Sequence, residues 1–336
     1  MADVSLTIIG LRRVGVSVGL ALKRYLESPR ATHRFVITGS DREQDAGKEA
    51  EKIGAIDRYV RNLGDAVAGA DIVFIDATLT DLRAYLQAIG PLLKAGCVVL
   101  EAAPLKQPPI EWAARYLPES AYLVGLAPVI NPDLLYTVAA DEPGAASAEL
   151  FDNGNLYIAP APSCPSEAVQ LASDWVQLLG LEPHYLEPAE HDGFVAAVEL
   201  LPMALGLTQF NVVTSAPSWA DLRRLTNPPF ALSTVSVLQN PADLADLVEM
   251  NRENLLHYVD QAVEQLAALR ATLSRDDTTA LKAALGEASS RYVQWLSQRE
   301  TGDWQDRARV ETPTLRSSFL QGLFGNLFTR GKKDED

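Results

Sequence analysis

Residues 6–23, LTIIGLRRVGVSVGLALK, contain a short strand, a tight turn and the start of a helix. The apolar run of residues 6–9 has the composition of a buried strand, and Gly10 ends it. Apolar side chains then recur at helical spacing over residues 14–26. A strand that passes through a glycine turn directly into a helix is the opening unit of a Rossmann-type domain.

The turn, residues 10–15 (GLRRVG), keeps two of the three glycines of the dinucleotide-binding fingerprint. Gly10 permits the tight turn, and Gly15 lets the helix pack closely on the strand. The N–H groups and positive dipole at the start of the helix favour a pyrophosphate. Arg12 replaces the middle glycine, so its Cβ crowds the ligand, although the guanidinium of Arg12 or Arg13 can bind phosphate. The turn therefore predicts weak dinucleotide binding.

Two charged residues after the second strand bear on the choice between NAD and NADP. Asp41 lies 26 residues after Gly15, near the position where an acid accepts hydrogen bonds from the ribose hydroxyls of NAD. Arg42 beside it instead favours the 2′-phosphate of NADP. We expect NAD, with NADP as the open alternative. A Rossmann domain that has kept its fold and lost its ligand is the other interpretation.

Outward from this unit, strand-like and helical segments alternate along the first half of the chain. The strands are expected at residues 6–9, 35–38, 72–75, 98–100, 122–124, 156–158 and 183–186, and the helices at 14–26, 43–53, 81–93, 110–116 and 166–179. Such alternation, with strands apolar throughout, predicts an α/β domain with a doubly wound parallel sheet covered on both faces. We place this Rossmann domain at residues 1–187.

From residue 188 the pattern is helical, with expected helices at 189–213, 242–273 and 278–298 and an interruption at Pro202. This predicts an all-helical dimerisation and substrate domain over residues 188–304. A wide apolar face favours a two-fold homodimer. Its residues are Leu244, Leu247, Val248, Leu255, Val259, Val263 and Leu266. The alternative is that one subunit buries this face by itself.

Residues 305–336 are expected to form a flexible tail with a short amphipathic segment. Apolar side chains at positions 319, 320, 323, 324, 327 and 328 lie on one helical face, and Arg330, Lys332 and Lys333 follow. Such a segment suits a membrane surface or a groove on a partner protein. A disordered tail, or one that packs on its own dimer, is the alternative.

The composition of the chain further limits the functional classes to which the protein can belong. The 336 residues carry a formal net charge of −15, which disfavours binding to nucleic acid. Cys97 and Cys164 are too far apart in sequence to suggest a disulfide framework or a zinc site, so no metal is expected. We find no signal-peptide pattern and expect no membrane-spanning run, which predicts a cytoplasmic protein.

Six ordered segments resemble the prephenate/arogenate dehydrogenases of tyrosine biosynthesis over residues 5–300. They are LTIIGLRRVGVSVGLALK, residues 70–106, LVGLAPV at 123–129, the start of a helix at Glu190-His191-Asp192, ELLPMALG at 199–206, and FALSTVSVLQNPADL at 230–244, which leads to Glu249-Met250-Asn251-Arg252. The resemblance implies a domain that binds NAD or NADP, a helical domain that dimerises and completes the substrate pocket, and oxidative decarboxylation of a small dicarboxylate.

The polar residues that the family uses are missing at the matching positions. Ala127 stands where the family's Gly-Gly-His-Pro-Met run has histidine, and Pro104 stands at a family serine. The two histidines of the Ser-His-Leu-Pro-His run fall on Leu200 and Met203 within 199–203, and Glu199 replaces its serine. Both arginines of the Phe-Arg-Asp-Thr-Thr-Arg run are absent from residues 230–235. We therefore expect a degenerate active site with lost or altered activity on prephenate.

Lys106 is the surviving polar candidate at the expected pocket, because it follows a strand at the carboxyl edge of the sheet. It is either a carboxylate ligand or proton donor, or a solvated loop lysine. His191 matches the family but suits the start of a helix equally well. Two functions remain open: an oxidoreductase of this family with an unknown small substrate, and a non-catalytic member that acts as a binding or regulatory protein.

Overall fold

The computed structural model describes residues 2–29, 31–135 and 141–304, and of Ala2 it describes the backbone alone. The predicted amphipathic tail lies outside the described residues. Eight strands form one sheet in the order β3-β2-β1-β4-β5-β6-β7-β8. The strands are β1 (Ala2–Ile9), β2 (His33–Ser40), β3 (Arg58–Tyr59), β4 (Ile72–Ile75), β5 (Val98–Glu101), β6 (Tyr122–Val129), β7 (Asn155–Pro160) and β8 (Pro183–Tyr185). This confirms the Rossmann-type α/β class.

Thirteen α-helices lie within the described residues. The first six are α1 (Arg13–Leu26), α2 (Gln44–Lys52), α3 (Leu63–Val67), α4 (Leu79–Ile89), α5 (Gln107–Tyr116) and α6 (Ser166–Leu178). The other seven are α7 (Pro188–Val195), α8 (Leu201–Thr214), α9 (Trp219–Leu222), α10 (Pro228–Thr234), α11 (Pro241–Met250), α12 (Arg252–Ser274) and α13 (Thr278–Thr301). The short elements β3, α3, α9 and α10 were not predicted, because they are too short for apolar periodicity to show.

The sheet is not parallel throughout. Strand β7 runs antiparallel to β6, with Val124 opposite Pro160 and Val129 opposite Asn155, while every other pair of neighbouring strands is parallel. A parallel neighbour needs a crossover, usually a helix that returns the chain to the same edge of the sheet. No α-helix lies among the described residues between β6 and β7, whereas α6 connects β7 to its parallel neighbour β8.

Apolar side chains cover both faces of the sheet. On β1, Ile8 belongs to one buried cluster and Ile9 to the other, and on β4 Phe74 and Ile75 divide in the same way. Successive side chains of a strand point to opposite faces, so an uninterrupted apolar run supplies two cores. The cluster around Ile9 also takes in α4, α5 and parts of α7, α8, α11 and α12.

Two of the long predicted helices are irregular in the structure, the first of them next to the interruption predicted at Pro202. Residues 196–200 form a π-helical turn between α7 and α8, and Pro202 follows it. Proline has no N–H to donate the next hydrogen bond of an α-helix. The π-turn adds one residue to a helical turn and so shifts the backbone hydrogen-bond pattern just before the proline. Asn251 separates α11 from α12, and its Nδ2 donates to the carbonyl oxygen of Asp192 on α7 at 2.7 Å.

The chain divides into two compact units, residues 1–266 and residues 267 onward. One described helical run, Pro188–Thr214, is long and apolar enough to cross a membrane by length and composition alone. The expectation that no such run exists was wrong. The run combines α7, the π-turn and α8, and the sequence pattern was divided at Pro202.

Candidate functional site

The turn between β1 and α1 requires glycine. Gly10 has a positive φ of 87°, and a Cβ there would lie 1.9 Å from the carbonyl oxygen of Asp76. A Cβ on Gly15 would lie 2.1 Å from the carbonyl oxygen of Gly10. Both glycines therefore have the roles that the fingerprint assigns them, a tight turn and close packing of helix on strand.

Carboxylates of the chain itself accept hydrogen bonds from backbone N–H groups of this turn. Asp41 accepts from Leu11 N at 2.7 Å, and Asp76, which directly follows β4, accepts from Gly15 N at 2.9 Å. These N–H groups and the helix dipole are what a pyrophosphate uses in a Rossmann domain. In this conformation the start of α1 is therefore partly occupied by internal anions.

Arg12 lies between two acids. Its Nη2 is 3.3 Å from Asp76 Oδ1, and its Nη1 is 2.7 Å from Asp141 Oδ2. Asp76 is 7% exposed, and this burial raises its pKa to about 6, while the charge of Arg12 and the Gly15 N–H oppose the rise. The Arg12 side chain is thus paired within the protein.

A cavity of about 450 Å³ opens beside Asp41 at the carboxyl ends of β1 and β2. Its lining residues are Ile9, Ser40, Asp41, Arg42, Arg61, Leu63, Ala84, Tyr85 and Ala88. Arg42 pairs with Asp81 at 2.5 Å, and its guanidinium carbon lies 5.1 Å from the centre of the Tyr85 ring. The cavity has the place and size for the adenosine end of a dinucleotide.

The structure thus brings together all six residues expected at the nucleotide site, which are Gly10, Arg12, Arg13, Gly15, Asp41 and Arg42. Arg13 Nε is buried and has no hydrogen-bond partner among the described residues, which leaves a donor at the start of α1. Sequence reasoning missed Asp76, Arg61 and Tyr85. Asp76 had a local signal, since it is the acid that ends the apolar run of β4.

Lys106 lies in the interior, and the alternative of a solvated loop lysine was wrong. Its side chain is fully buried, and Nζ donates to Glu101 Oε1 at 3.1 Å and to the carbonyl oxygen of Ala103 at 2.6 Å. Burial raises the pKa of Glu101 and the charge of Lys106 opposes the rise. A Cβ on Gly125 of β6 would lie 2.7 Å from Lys106 Cδ, so the glycine makes room for the pair.

His191 and Asp192 join α7 to the α/β domain. Both are buried, and the carboxylate of Asp192 accepts from Lys106 N at 2.7 Å and from Gln107 N at 3.0 Å. Asp192 therefore caps the start of α5, where an anion is favourable. His191 Nδ1 lies 3.1 Å from the same carboxylate.

The positions at which the family has histidine, serine or arginine lie partly at strands of the sheet and partly in the helical region after residue 188. Ala127 lies on β6 and Pro104 in the loop after β5, both partly buried. Glu199 is on the π-turn with an exposed side chain. Ala231 and Val235 are at α10 and the turn that follows it. In the described parts of the chain, no group of three or more His, Cys, Asp or Glu side chains is placed to hold a metal ion.

An eight-stranded sheet with a nucleotide-type turn, followed by a helical domain, defines a Rossmann-class protein with an added α-helical domain. Residues 20–182 match the family model described as prephenate dehydrogenase, nucleotide-binding domain, and residues 187–287 match prephenate dehydrogenase, dimerization domain. The chain therefore belongs to the prephenate dehydrogenase family. The two matches meet beside the domain boundary predicted at residue 187, and the first begins after the glycine turn.

Individual relatives are distant in sequence. A cyclohexadienyl dehydrogenase of Zymomonas mobilis is 22% identical over 274 residues, which cover 81% of this chain and 89% of the relative. A prephenate dehydrogenase from A. aeolicus, solved in complex with hydroxyphenyl propionate and NAD+, is 18% identical with a TM-score of 0.75, and 88% of this chain and 99% of that chain are covered. The Synechocystis arogenate dehydrogenase is also 18% identical, with a TM-score of 0.68 and coverage of 87% and 99%. At these identities the solved structures establish a common fold.

Proposed function

We propose that this chain is a prephenate dehydrogenase-like protein of the cytoplasm that binds NAD weakly and has lost turnover of prephenate. One observation carries the proposal. The nucleotide site keeps its turn, its acid and a 450 Å³ cavity, whereas the family's histidine and arginine positions hold Ala127, Ala231 and Val235. A protein with these residues can bind a nucleotide. It lacks the side chains that perform acid–base chemistry and those that bind substrate carboxylates.

The residues fit the two ends of a dinucleotide differently. Asp41 lies on the cavity wall, and each oxygen of its carboxylate has capacity to accept a further hydrogen bond from a ribose hydroxyl. The pyrophosphate position does not fit in the same way, because Asp76 and Asp141 already hold Arg12. Weak binding is the expected result of a good adenosine end and an obstructed phosphate end.

NAD should bind more tightly than NADP, by about tenfold, which corresponds to roughly 1.4 kcal/mol. Asp41 accepts from ribose hydroxyls and repels a 2′-phosphate, while the charge of Arg42 is engaged by Asp81 and the Tyr85 ring. Isothermal titration of the purified protein measures both affinities. Asp41→Asn should remove the preference, and Asp45→Asn on the exposed start of α2 is the matched control.

Tighter binding of NADP would reverse the role given to Asp41 and would assign the 2′-phosphate to Arg42 and Arg61. If neither dinucleotide binds, then the Rossmann domain has lost its ligand and Arg12 acts as a blocker. Both results are decided by the same titration.

A non-catalytic binding or regulatory role is the second candidate. The burial of Lys106 in an ion pair with Glu101 favours this role. Its Nζ donates to three oxygens of the chain, one of them in the Glu101 carboxylate, so the remaining cation of the expected substrate pocket is already neutralised. A thermal-shift screen with NAD and NADP, together with a turnover screen of prephenate, arogenate and a panel of other small hydroxy acids, separates the candidates. A shift without turnover supports the binding role, and turnover of a small substrate supports an oxidoreductase.

The protein should be a homodimer, with a light-scattering mass of twice 36.4 kDa at micromolar concentration. Leu255 of the predicted face is buried, and Leu244, Leu247, Val248 and Val259 pack on the core of residues 1–266. Val263 and Leu266 on α12 stay 59% and 57% exposed, as is typical of a surface that a second copy covers. Leu266→Glu should shift the mass towards one chain and Gln265→Glu should not; a single-chain mass for the unmodified protein would contradict the dimer.

A further inference from the structure

Residues 141–152, here called the strap, run alongside α1. At the far end of the helix, Arg24 forms a two-pronged ion pair with Asp152, with N–O distances of 2.6 and 3.0 Å. In the middle of the helix, the backbone N–H of Ser147 donates to Ser17 Oγ at 3.0 Å. The strap therefore contacts successive turns of the helix that begins at the nucleotide site.

The two ends of the strap differ in how firmly they are held. Leu150 and Phe151 are 1% exposed and belong to the main core, so the carboxyl end of the strap is fixed. Asp141 and Glu142 at the other end are exposed. The carboxyl end of the strap is thus buried, and its amino end, Asp141 and Glu142, here called the tip, faces solvent.

The tip contacts the groups that a phosphate would use. Asp141 Oδ2 is 2.7 Å from Arg12 Nη1, and Asp141 Oδ1 accepts from Arg13 N at 3.3 Å. The side chains of Asp141 and Arg12 are 55% and 36% exposed, and ion pairs in such positions are weak because solvent screens them. Asp76, in contrast, is buried beneath the turn and hydrogen-bonded to Gly15 N. Asp141 is therefore the releasable carboxylate of the two that hold Arg12.

We propose that the strap competes with the pyrophosphate of a dinucleotide for the start of α1. With Asp141 on Arg12 and Arg13 the phosphate position is closed, and a dinucleotide binds as Asp141 leaves. The proposal rests on the dinucleotide binding proposed above and adds the residue that limits it. It distinguishes ligands by chemistry: adenosine, which has no phosphate, does not compete with Asp141, and NAD does.

The test is isothermal titration of the full chain with NAD and with adenosine. Asp141→Ala and Asp141→Asn should each tighten NAD binding by about 3- to 10-fold, because they remove a competing anion from an exposed ion pair. Adenosine binding should be unchanged. Glu142→Gln is the matched control, since it removes one negative charge from the neighbouring exposed residue, and it should change neither affinity by more than about twofold.

A second readout follows the strap itself. Hydrogen exchange of the hydrogen-bonded backbone amides of residues 145–147 should speed up when NAD is added to the unmodified protein, and protection there would contradict release of the tip. Equal tightening by Glu142→Gln would show a general charge effect and overturn the proposal.

Binding of NAD by the unmodified protein with no gain in Asp141→Ala overturns the competition and leaves the proposed function standing. No binding by any variant overturns both. NAD binding that appears with Asp141→Ala alone supports the competition in its strongest form.

Discussion

Purified unmodified protein should produce no measurable NADH from prephenate or arogenate in a steady-state assay. A positioned acid or base typically contributes about 10²–10⁴ in rate, and Ala127 and Pro104 supply none of it. The loss of two arginines removes charge-assisted bonds to carboxylates worth roughly 1.5–3 kcal/mol each. Because one defect affects the chemical step and the other affects binding, their effects on kcat/KM multiply.

Among the described residues, no histidine lies on β6 or on its neighbouring strands β5 and β7. His191 is buried against Asp192, and the other three histidines lie on β2, β8 and α12. Ala127→His alone should therefore not restore turnover, since the residues that bind the substrate carboxylates would still be missing. The prephenate dehydrogenase from A. aeolicus and the Synechocystis arogenate dehydrogenase are the positive controls for the two substrates. A kcat on the order of 1 s⁻¹ or more for the unmodified protein would contradict the prediction and show that other residues perform the chemistry.

Lys106→Met should lower the free energy of unfolding by about 3–5 kcal/mol, measured by urea denaturation at pH 7. The substitution keeps most of the apolar stem and leaves Glu101, which is fully buried, without its cation. The double variant Glu101→Gln, Lys106→Met removes both charges, so most of the lost stability should return. Lys94→Met breaks the exposed pair of Lys94 with Asp71 and should cost no more than about 1 kcal/mol.

The loss in Lys106→Met should also depend on pH. Burial raises the pKa of Glu101. The Lys106→Met variant lacks the charged amine that opposes this rise in the unmodified protein. A carboxyl whose folded pKa is raised stabilises the fold while protonated, and this stability is lost as pH rises through the folded pKa. The variant should therefore be less destabilised at pH 5 than at pH 8. Equal small losses for Lys106→Met and Lys94→Met would contradict a buried, stabilising pair.

Local patterns were sufficient to predict the opening unit of the chain. The glycines at positions 10 and 15, the apolar strands and the helical spacing after Gly15 each depend on residues within one turn or one strand of each other. The same holds for the position of Asp41, which directly follows β2 and lines the cavity beside the turn. Family membership could also be inferred, because the order of six segments along the chain is itself sequence information.

The partners of these residues could not be inferred in the same way. Asp141 reaches Arg12 from 129 positions away, and Asp192 caps α5 from 85 positions away. Neither acid has a local pattern that names its partner. Lys106 was expected at the pocket, and its ion pair with Glu101 depends on the fold of the loop between β5 and α5, together with the space left by Gly125.

The sequence by itself determined the Rossmann class, the places of the main strands and helices, the composition of the nucleotide turn and the absence of the family's histidines and arginines from their matching positions. Tertiary structure alone decided that β7 runs antiparallel, that Asn251 separates α11 from α12, and that the start of α1 is held by internal carboxylates. The physical reason is the separation along the chain over which each interaction acts. Strand and helix propensities act between near neighbours, whereas charge pairing, burial and strand direction are settled by side chains that folding brings together from distant parts of the chain.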